Sequence, residues 1–499
     1  MSAPPPVAPS PAGVLVASNR GPVSFSLEDD GTLTVRRGGG GLVSGLSTAG
    51  QGTGAVWVCS ALGEPDRTAT RAAPSGRLDL AGHDTGGLAV RMLDIDPGTF
   101  ARAYNAIANS TLWFVHHLLY DTPSKPVFDA RFRKEWASYE AYNQAFAEAL
   151  AEEAAEGAKV VVQDYHLTLV PVLLRRLRPD LRIGHFAHTP WAPPDYFRLL
   201  PDDIARYVLE GVLGADHAGF HSRRWALAFL DCCADVLGAE VDRDAMTVTH
   251  AGHVTEIGVH ALGADAEFLR ERASRADVDT RLAGLREAVG DRRVIVRVDR
   301  TELSKNIVRG LLAYRELLRT RPEWLGRVVH VAFAYPSRHD LPEYREYTAA
   351  VQRVAKEIDD EFGTGDWQPL ILHVNDDFPR SLAAYRLADV ALVNPIRDGM
   401  NLVAKEVPVV SLLDEGHGGC ALVLSREAGA CEELGEDAIV VNPFDVSQTT
   451  EALHEALTLD PTDRLQRTKR LAAAAVALNP QQWFLEQLDA LDASDAREG

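Results

Sequence analysis

Eleven short apolar runs recur along the chain: GVLVAS, AVWVCS, KVVVQD, IGHFAH, HAGFHS, VIVRVD, VVHVAFA, PLILHV, ADVALV, CALVLS and AIVVNP. Amphipathic helical patterns separate many of them, WASYEAYNQAFAEALAEEAAE and LTLVPVLLRRLRP among them. Strands that are apolar throughout must be covered on both faces, and helices returning the chain over a parallel sheet do this. The runs exceed what one doubly wound sheet usually holds. The expectation is therefore α/β, with two Rossmann-like domains. A break is expected in the charged stretch HALGADAEFLRERASRADVDTRLAGLREAVGDRR. The expected division is a Pro-rich disordered tail over 1–13, one domain over 14–262, a second over 263–480 and a C-terminal helix over 481–499 packing back on the first. Trp483, Leu485 and Leu488 are its expected packing residues.

In such sheets, ligands sit beyond the carboxyl ends of strands. The net charge is −20. A surface this acidic disfavours nucleic acid and anionic membranes, so an anionic ligand needs a local basic cluster. Arginine and lysine just after a strand are accordingly the residues to follow. No apolar run reaches bilayer length, and the start lacks the pattern of a signal peptide; a cytoplasmic protein is expected. The five cysteines, Cys59, Cys232, Cys233, Cys420 and Cys431, form no CxxC pair and read as idle or buried thiols.

ADVALV runs into NPIRDGMNLVAKE. Gly399 allows a tight turn, and a helix start after it presents the N–H groups of Met400, Asn401 and Leu402 to a phosphate. Glu406, within the helix, is suited to neutral sugar hydroxyls. Asp398 lies too near that phosphate for a counter-ion and reads as orienting a sugar, or else simply as a helix cap. After VIVRV, Arg300 and Lys305 are placed to clamp a diphosphate and stabilise it as a leaving group. Glu302 between them leaves open a surface ion pair. Arg20 follows the first strand, and the glycines Gly38 to Gly41 then offer a second phosphate-binding turn, or a flexible loop. LEDDGTLTV reads as a hairpin with DG at its turn. Asp164 and His166 after one strand, and His188 after the next, suit hydroxyl recognition and acid–base assistance. Their spacing does not suit zinc, and no metal or cofactor is expected.

Taken in order, ASNR with GGLVSGL, YNAIANSTLW, QDYHLTLVP, FAHTPW, VDRTELSK and RDGMNLVAKE resemble the trehalose-6-phosphate synthase family, retaining glycosyltransferases of GT-B fold. The match runs from about Val14 to Asp445. The resemblance implies an active-site cleft between two Rossmann-like domains, a nucleotide-sugar donor, glucose 6-phosphate as acceptor, and no metal. It implies that Arg300 and Lys305 hold the donor diphosphate, with Gly41 and the backbone after Gly399 in support. Asp398 and His188 would contact the transferred glucose, and Glu406 the ribose. Asp164 would bind acceptor hydroxyls, while Arg20, Tyr104 and Arg338 take the acceptor phosphate beside Trp113. Two departures stand out: Ser60 in WVCSALG, where familiar members carry a Trp, and VPVVSLL after the RDGMNLVAKE block.

After PLILHV, the carboxylate of Asp376 is suited to the paired N–H donors of guanine, with Phe378 packing the base and Ser381 adding a hydrogen bond. A solvated loop is the other reading. HVNDDFPRSL resembles the actinomycete branch that favours GDP-glucose, with UDP- and ADP-glucose as further options. It also resembles pseudo-glycosyltransferases that join a GDP-cyclitol to an aminocyclitol phosphate. The expected reaction forms α,α-trehalose 6-phosphate by front-face displacement. The other readings are that cyclitol coupling and a catalytically silent sugar-phosphate sensor. Homo-oligomerisation stays open.

Overall fold

The structure, a computed structural model, describes residues 10–37, 54–338, 340–414, 416 and 418–498. It separates into two compact units, residues 1–260 with 480–499, and residues 261–479. No described helix is long and apolar enough to cross a membrane.

The first unit is built on β1 (Ala12–Ala17), β4 (Val56–Ser60), β5 (Ala89–Leu93), β6 (Ala154–Gln163), β7 (Arg182–Ala187), β8 (His217–Phe220), β9 (Glu240–Asp242), β10 (Thr247–His250) and β11 (His253–Val259). They form one nine-stranded sheet in the order β5-β4-β1-β6-β7-β8-β11-β10-β9. Pairing is parallel from β5 through to β11; β10 and β9 then add on antiparallel. The chain reverses its direction of strand addition beside β1, between β4 and β6. There the ends of β1 and β6 bring Asn19, Arg20 and Asp164 to one edge, the crevice position of an open parallel sheet. β2 (Val23–Leu27) and β3 (Leu33–Arg37) pair as a separate hairpin with Gly31 at φ +84 in its turn, so the DG stretch is a turn and nothing more. Ala12 and Gly13, expected in the tail, instead open β1, where Ala12 pairs with Ala154 and is buried.

In the second unit, β12 (Arg293–Arg300), β13 (Val328–Tyr335), β14 (Leu370–His373), β15 (Val390–Val393), β16 (Ala421–Ser425) and β17 (Ile439–Val441) are all parallel. The order β14-β13-β12-β15-β16-β17 is that of a dinucleotide-binding domain. Its switch point lies between β12 and β15. The two stretches singled out from the sequence, Arg300 to Lys305 and Asn394 to Asn401, leave these two neighbouring strands at the same end.

The helix Pro480–Glu498 belongs to the first unit. Trp483, Phe484, Leu488 and Leu491 are buried, whereas Leu485 is 38% exposed. The packing stripe therefore runs through Phe484 and Leu491 rather than Leu485. Trp483 stands edge-on to Phe186 of β7 and 5.6 Å from the His188 ring, its Nε1 donating to His260 O. Full burial of an indole contributes on the order of 3–5 kcal/mol against its truncation.

Candidate active site

In the second unit, Lys305 closes a short 3-10 turn after β12, followed by Asn306 at φ +58. Its Nζ donates to Asp398 Oδ2 at 2.5 Å, with the two side chains only 19% and 14% exposed. Asp398 Oδ2 also accepts from Asn401 Nδ2 at 3.0 Å. Asp398 is thus a counter-ion to Lys305, and the helix cap left open for it falls to another residue. An ammonium withdrawn this far from water needs a charge partner, and Asp398 is in reach. Burial alone would strip the proton from Lys305, but Asp398, Glu302 and Asp299 more than offset that and hold it charged.

The cap is Asn401, left-handed at φ +78, whose Oδ1 accepts from Ala404 N at 3.2 Å at the start of helix Leu402–Ser411. No described group accepts from the N–H groups of Met400, Asn401 or Leu402. The turn is fixed from one side: Asp398 N donates to Glu427 O, Gly429 N to Asp398 O and Ala430 N to Met400 O, at 3.1, 3.1 and 2.9 Å. A Cβ at Gly429 would stand 1.9 Å from Gly399 O, so the close approach requires glycine there.

Arg300 is exposed at the end of β12. The surface ion pair left open for Glu302 does not form with it. Glu302 is buried, accepts from Ser337 Oγ at 2.8 Å and faces Arg338 at 3.8 Å. Burial works to raise its pKa, but Arg338 and Lys305 overrule it and keep the carboxyl below its usual range. Arg338, at φ +45, also donates to Tyr344 Oη at 2.7 Å; it belongs to the second unit, not to the unit that carries Arg20.

The remaining charges of the RDGMNLVAKE block diverge. Arg397 lies 4.0 Å from Glu427. Lys405 is fully buried and donates to Glu433 and to Leu262 O, and burial lowers its pKa. Burial pushes the Glu406 carboxyl up to about 7, with Tyr385 Oη 3.5 Å away. Asp376 is exposed, with no ion pair among the described residues. Its neighbour Asp377 instead caps helix Phe378–Leu387 and pairs with Arg281 at 2.8 Å. Phe378 is 38% exposed and stacks with Phe268. Ser381 is buried, and its hydroxyl is bonded to Tyr335 Oη.

In the first unit, Asp164 sits directly after β6 at φ +72, a strained conformation for an aspartate. Its Oδ1 accepts from His188 N at 3.2 Å, and Oδ2 lies 3.9 Å from His166 Nδ1. His188 Nε2 donates to Gln163 Oε1 at 2.7 Å, leaving Nδ1 to accept from His221 Nε2 at 3.1 Å. Burial pushes the His188 pKa down to about 3, so the ring is neutral and a poor proton donor near pH 7. Hydrogen bonding, the first of its expected roles, suits this neutral ring.

Tyr104 stacks on Phe100 and on His166, at centroid distances of 5.3 and 5.6 Å. Trp113 stacks on His117 and packs on Tyr165, which in turn meets His166. Tyr104 and Trp113 thus flank one row of rings. In an α-helix of about 3.6 residues per turn they would lie on opposite faces. The segment Arg102–Leu112 is instead a π-helix, whose wider turn brings them to one side.

Arg20 is exposed and has no ion pair among the described residues. Asn19 beside it accepts from Tyr142 Oη at 2.7 Å. Ser60, flagged for replacing a Trp, is buried and donates from its backbone N–H to Asn19 O, beneath this edge. Gly41 lies outside the described residues. Sequence reasoning missed Gly429, the ring row and Trp483 as a wall for His188. The sequence marked Trp483 as a packing residue of the final helix, with nothing to say which side chain it would meet.

A sequence profile of glycosyltransferase family 20 matches residues 12–493. The UDP-forming alpha,alpha-trehalose-phosphate synthase of Schizosaccharomyces pombe is 33% identical over 463 residues, covering 92% of this chain and 86% of that protein. Among solved structures, an alpha,alpha-trehalose 6-phosphate synthase from Burkholderia multivorans superposes with a TM-score of 0.84 at 28% identity, covering 98% of both chains. A UDP-forming synthase from Burkholderia vietnamiensis gives 0.81 at 29%, covering 96% of this chain and 99% of that one.

Proposed function

The chain belongs to glycosyltransferase family 20, the trehalose-phosphate synthases, and on that premise we propose that it transfers glucose from GDP-glucose to glucose 6-phosphate, forming α,α-trehalose 6-phosphate with retention. Its fold is GT-B. The observation that carries the proposal is the switch point of the second unit, where Arg300, Lys305 and the open N–H groups of Met400 to Leu402 gather at the ends of β12 and β15. A diphosphate is the ligand this cationic edge suits. Glu406 supports a ribose contact. In the first unit, Asp164, neutral His188 and the ring row support hydroxyl binding, and Arg20 supports a phosphate.

A retaining double displacement needs a carboxylate nucleophile. Asp398 is engaged by Lys305 and Asn401, and Glu302 by Ser337 and Arg338. Each is committed to a structural contact, which favours front-face displacement. The departing diphosphate is stabilised by Arg300, Lys305 and the helix start, and one of its oxygens takes the proton of the incoming hydroxyl.

For the base, support for guanine is the contrast between Asp376, exposed without an ion pair among the described residues, and Asp377, fixed in a cap. The relatives named above as UDP-forming favour the second reading, UDP-glucose. Steady-state kinetics with GDP-, ADP- and UDP-glucose against glucose 6-phosphate separate the two. GDP-glucose is expected to have the highest kcat/KM, and Asp376→Asn to erode that lead by about tenfold. A UDP-glucose lead unchanged in Asp376→Asn would overturn the base assignment and leave the glycosyl transfer standing.

A further inference from the structure

Among the largest fully buried side chains of the molecule is an arginine, Arg297, in the middle of β12. Its Nε and Nη2 donate to Asp299 Oδ2 at 3.1 and 2.8 Å. Nη2 also donates to Lys305 O at 3.1 Å, and Nη1 to Ile307 O at 3.5 Å. One guanidinium therefore joins the strand, a buried carboxylate and the chain where it leaves the Lys305 turn for the next helix. The covering helix Ile307–Thr320 makes room for it with Gly310, where a Cβ would stand 2.2 Å from Nη1. On the next strand, His330 is buried and held neutral, its pKa pushed to about 3 by burial and then by Arg297 itself. No negative charge comes from that side.

The groups that act on one another around Lys305 are four cations, Arg297, Arg300, Lys305 and Arg338, and three carboxylates, Asp299, Glu302 and Asp398. Without Arg297 that balance is neutral. Asp299 is 8% exposed and Arg297 0%, so water screens their field poorly and the buried cation reaches the surface cluster. We propose that Arg297 is a positioning residue for the donor site: it offsets Asp299 from beneath, so that the cluster keeps a surplus positive charge for a nucleoside diphosphate. This rests on the donor reading above and deepens it. Arg297 touches no substrate; it acts through the charge of Asp299.

The test measures GDP and UDP binding by calorimetry, beside thermal unfolding, for the wild type, Arg297→Lys, Arg297→Met and Arg297→Met/Asp299→Asn. Removing one partner of a buried pair is costly to folding, so the double variant, which removes both charges, carries the decision. Expected is a loss of at least about tenfold in affinity for Arg297→Met, with Arg297→Lys and the double variant within a few-fold of wild type. An arginine acting only through its bonds to Lys305 O and Ile307 O would leave the double variant weak, since both bonds are lost there too; thermal unfolding reports the folding cost of each variant separately from its affinity. The proposal is overturned if folded Arg297→Met binds like wild type, or if the folded double variant remains tenfold weak. Wild type that binds neither nucleotide overturns the donor reading itself, and this inference with it.

Discussion

The two switch points are built on the same plan and stabilised in opposite ways. At β12 and β15 the side chains are ionic: Lys305 with Asp398, Glu302 with Arg338, Arg297 with Asp299. At β1 and β6 they are neutral and aromatic, with His188 held between Gln163 and His221, Tyr104 stacked on His166, and Arg20 as an exposed cation. The difference follows the ligands each is proposed to hold. A leaving diphosphate gains charge as the bond breaks, and fixed charges together with oriented N–H groups lower that barrier. A sugar offers hydroxyls and C–H faces, which neutral donors and rings suit.

Three experiments press on that contrast. The largest effect is expected for Lys305→Ala, with kcat falling by about 10²–10³ and the KM for glucose 6-phosphate little changed. Near-normal turnover would mean that the ionic switch point is structural. Arg20→Ala is expected to lose a charge-assisted contact of about 2 kcal/mol, roughly thirtyfold, and to raise the KM for glucose 6-phosphate while kcat holds. An equal fall in kcat would erase the division of labour between the two sites. The smallest effect concerns Glu406. Its folded pKa, about 7, lies above its ordinary 4.5. The stability it contributes is thus complete below about pH 4.5 and is lost as pH rises through about 7. The carboxylate form proposed to meet the ribose appears over the same rise. The KM for the nucleotide sugar should fall a few-fold from pH 6 to 8, and Glu406→Gln should flatten both that profile and the pH dependence of Tm.

Strands buried on both faces were legible, because their apolar runs leave few alternatives; each of the eleven runs lies in β1, β4, β6, β7, β8 or β12 to β17. The strands that escaped are β5, with arginine in AVRML, and β9 to β11, whose polar alternation and antiparallel pairing at the sheet edge lack that signature. The cationic ends of β12 and β15 could be read from position alone. Partner choice could not: Asp398 pairs with Lys305, while Lys405, in the same block as Asp398, turns inward to Glu433. Whether RAYNAIANSTL winds as an α- or a π-helix leaves no mark in its composition, yet it decides whether Tyr104 and Trp113 share a side.

The wall behind His188 comes from beyond the second unit, since Trp483 lies on a helix that follows the whole of it. A ribosome must therefore make all of the second unit before the face of that imidazole can be covered. A nascent protein stalled short of residue 480 would carry Asp164, His188 and the ring row of the first unit and still lack the indole that packs on His188.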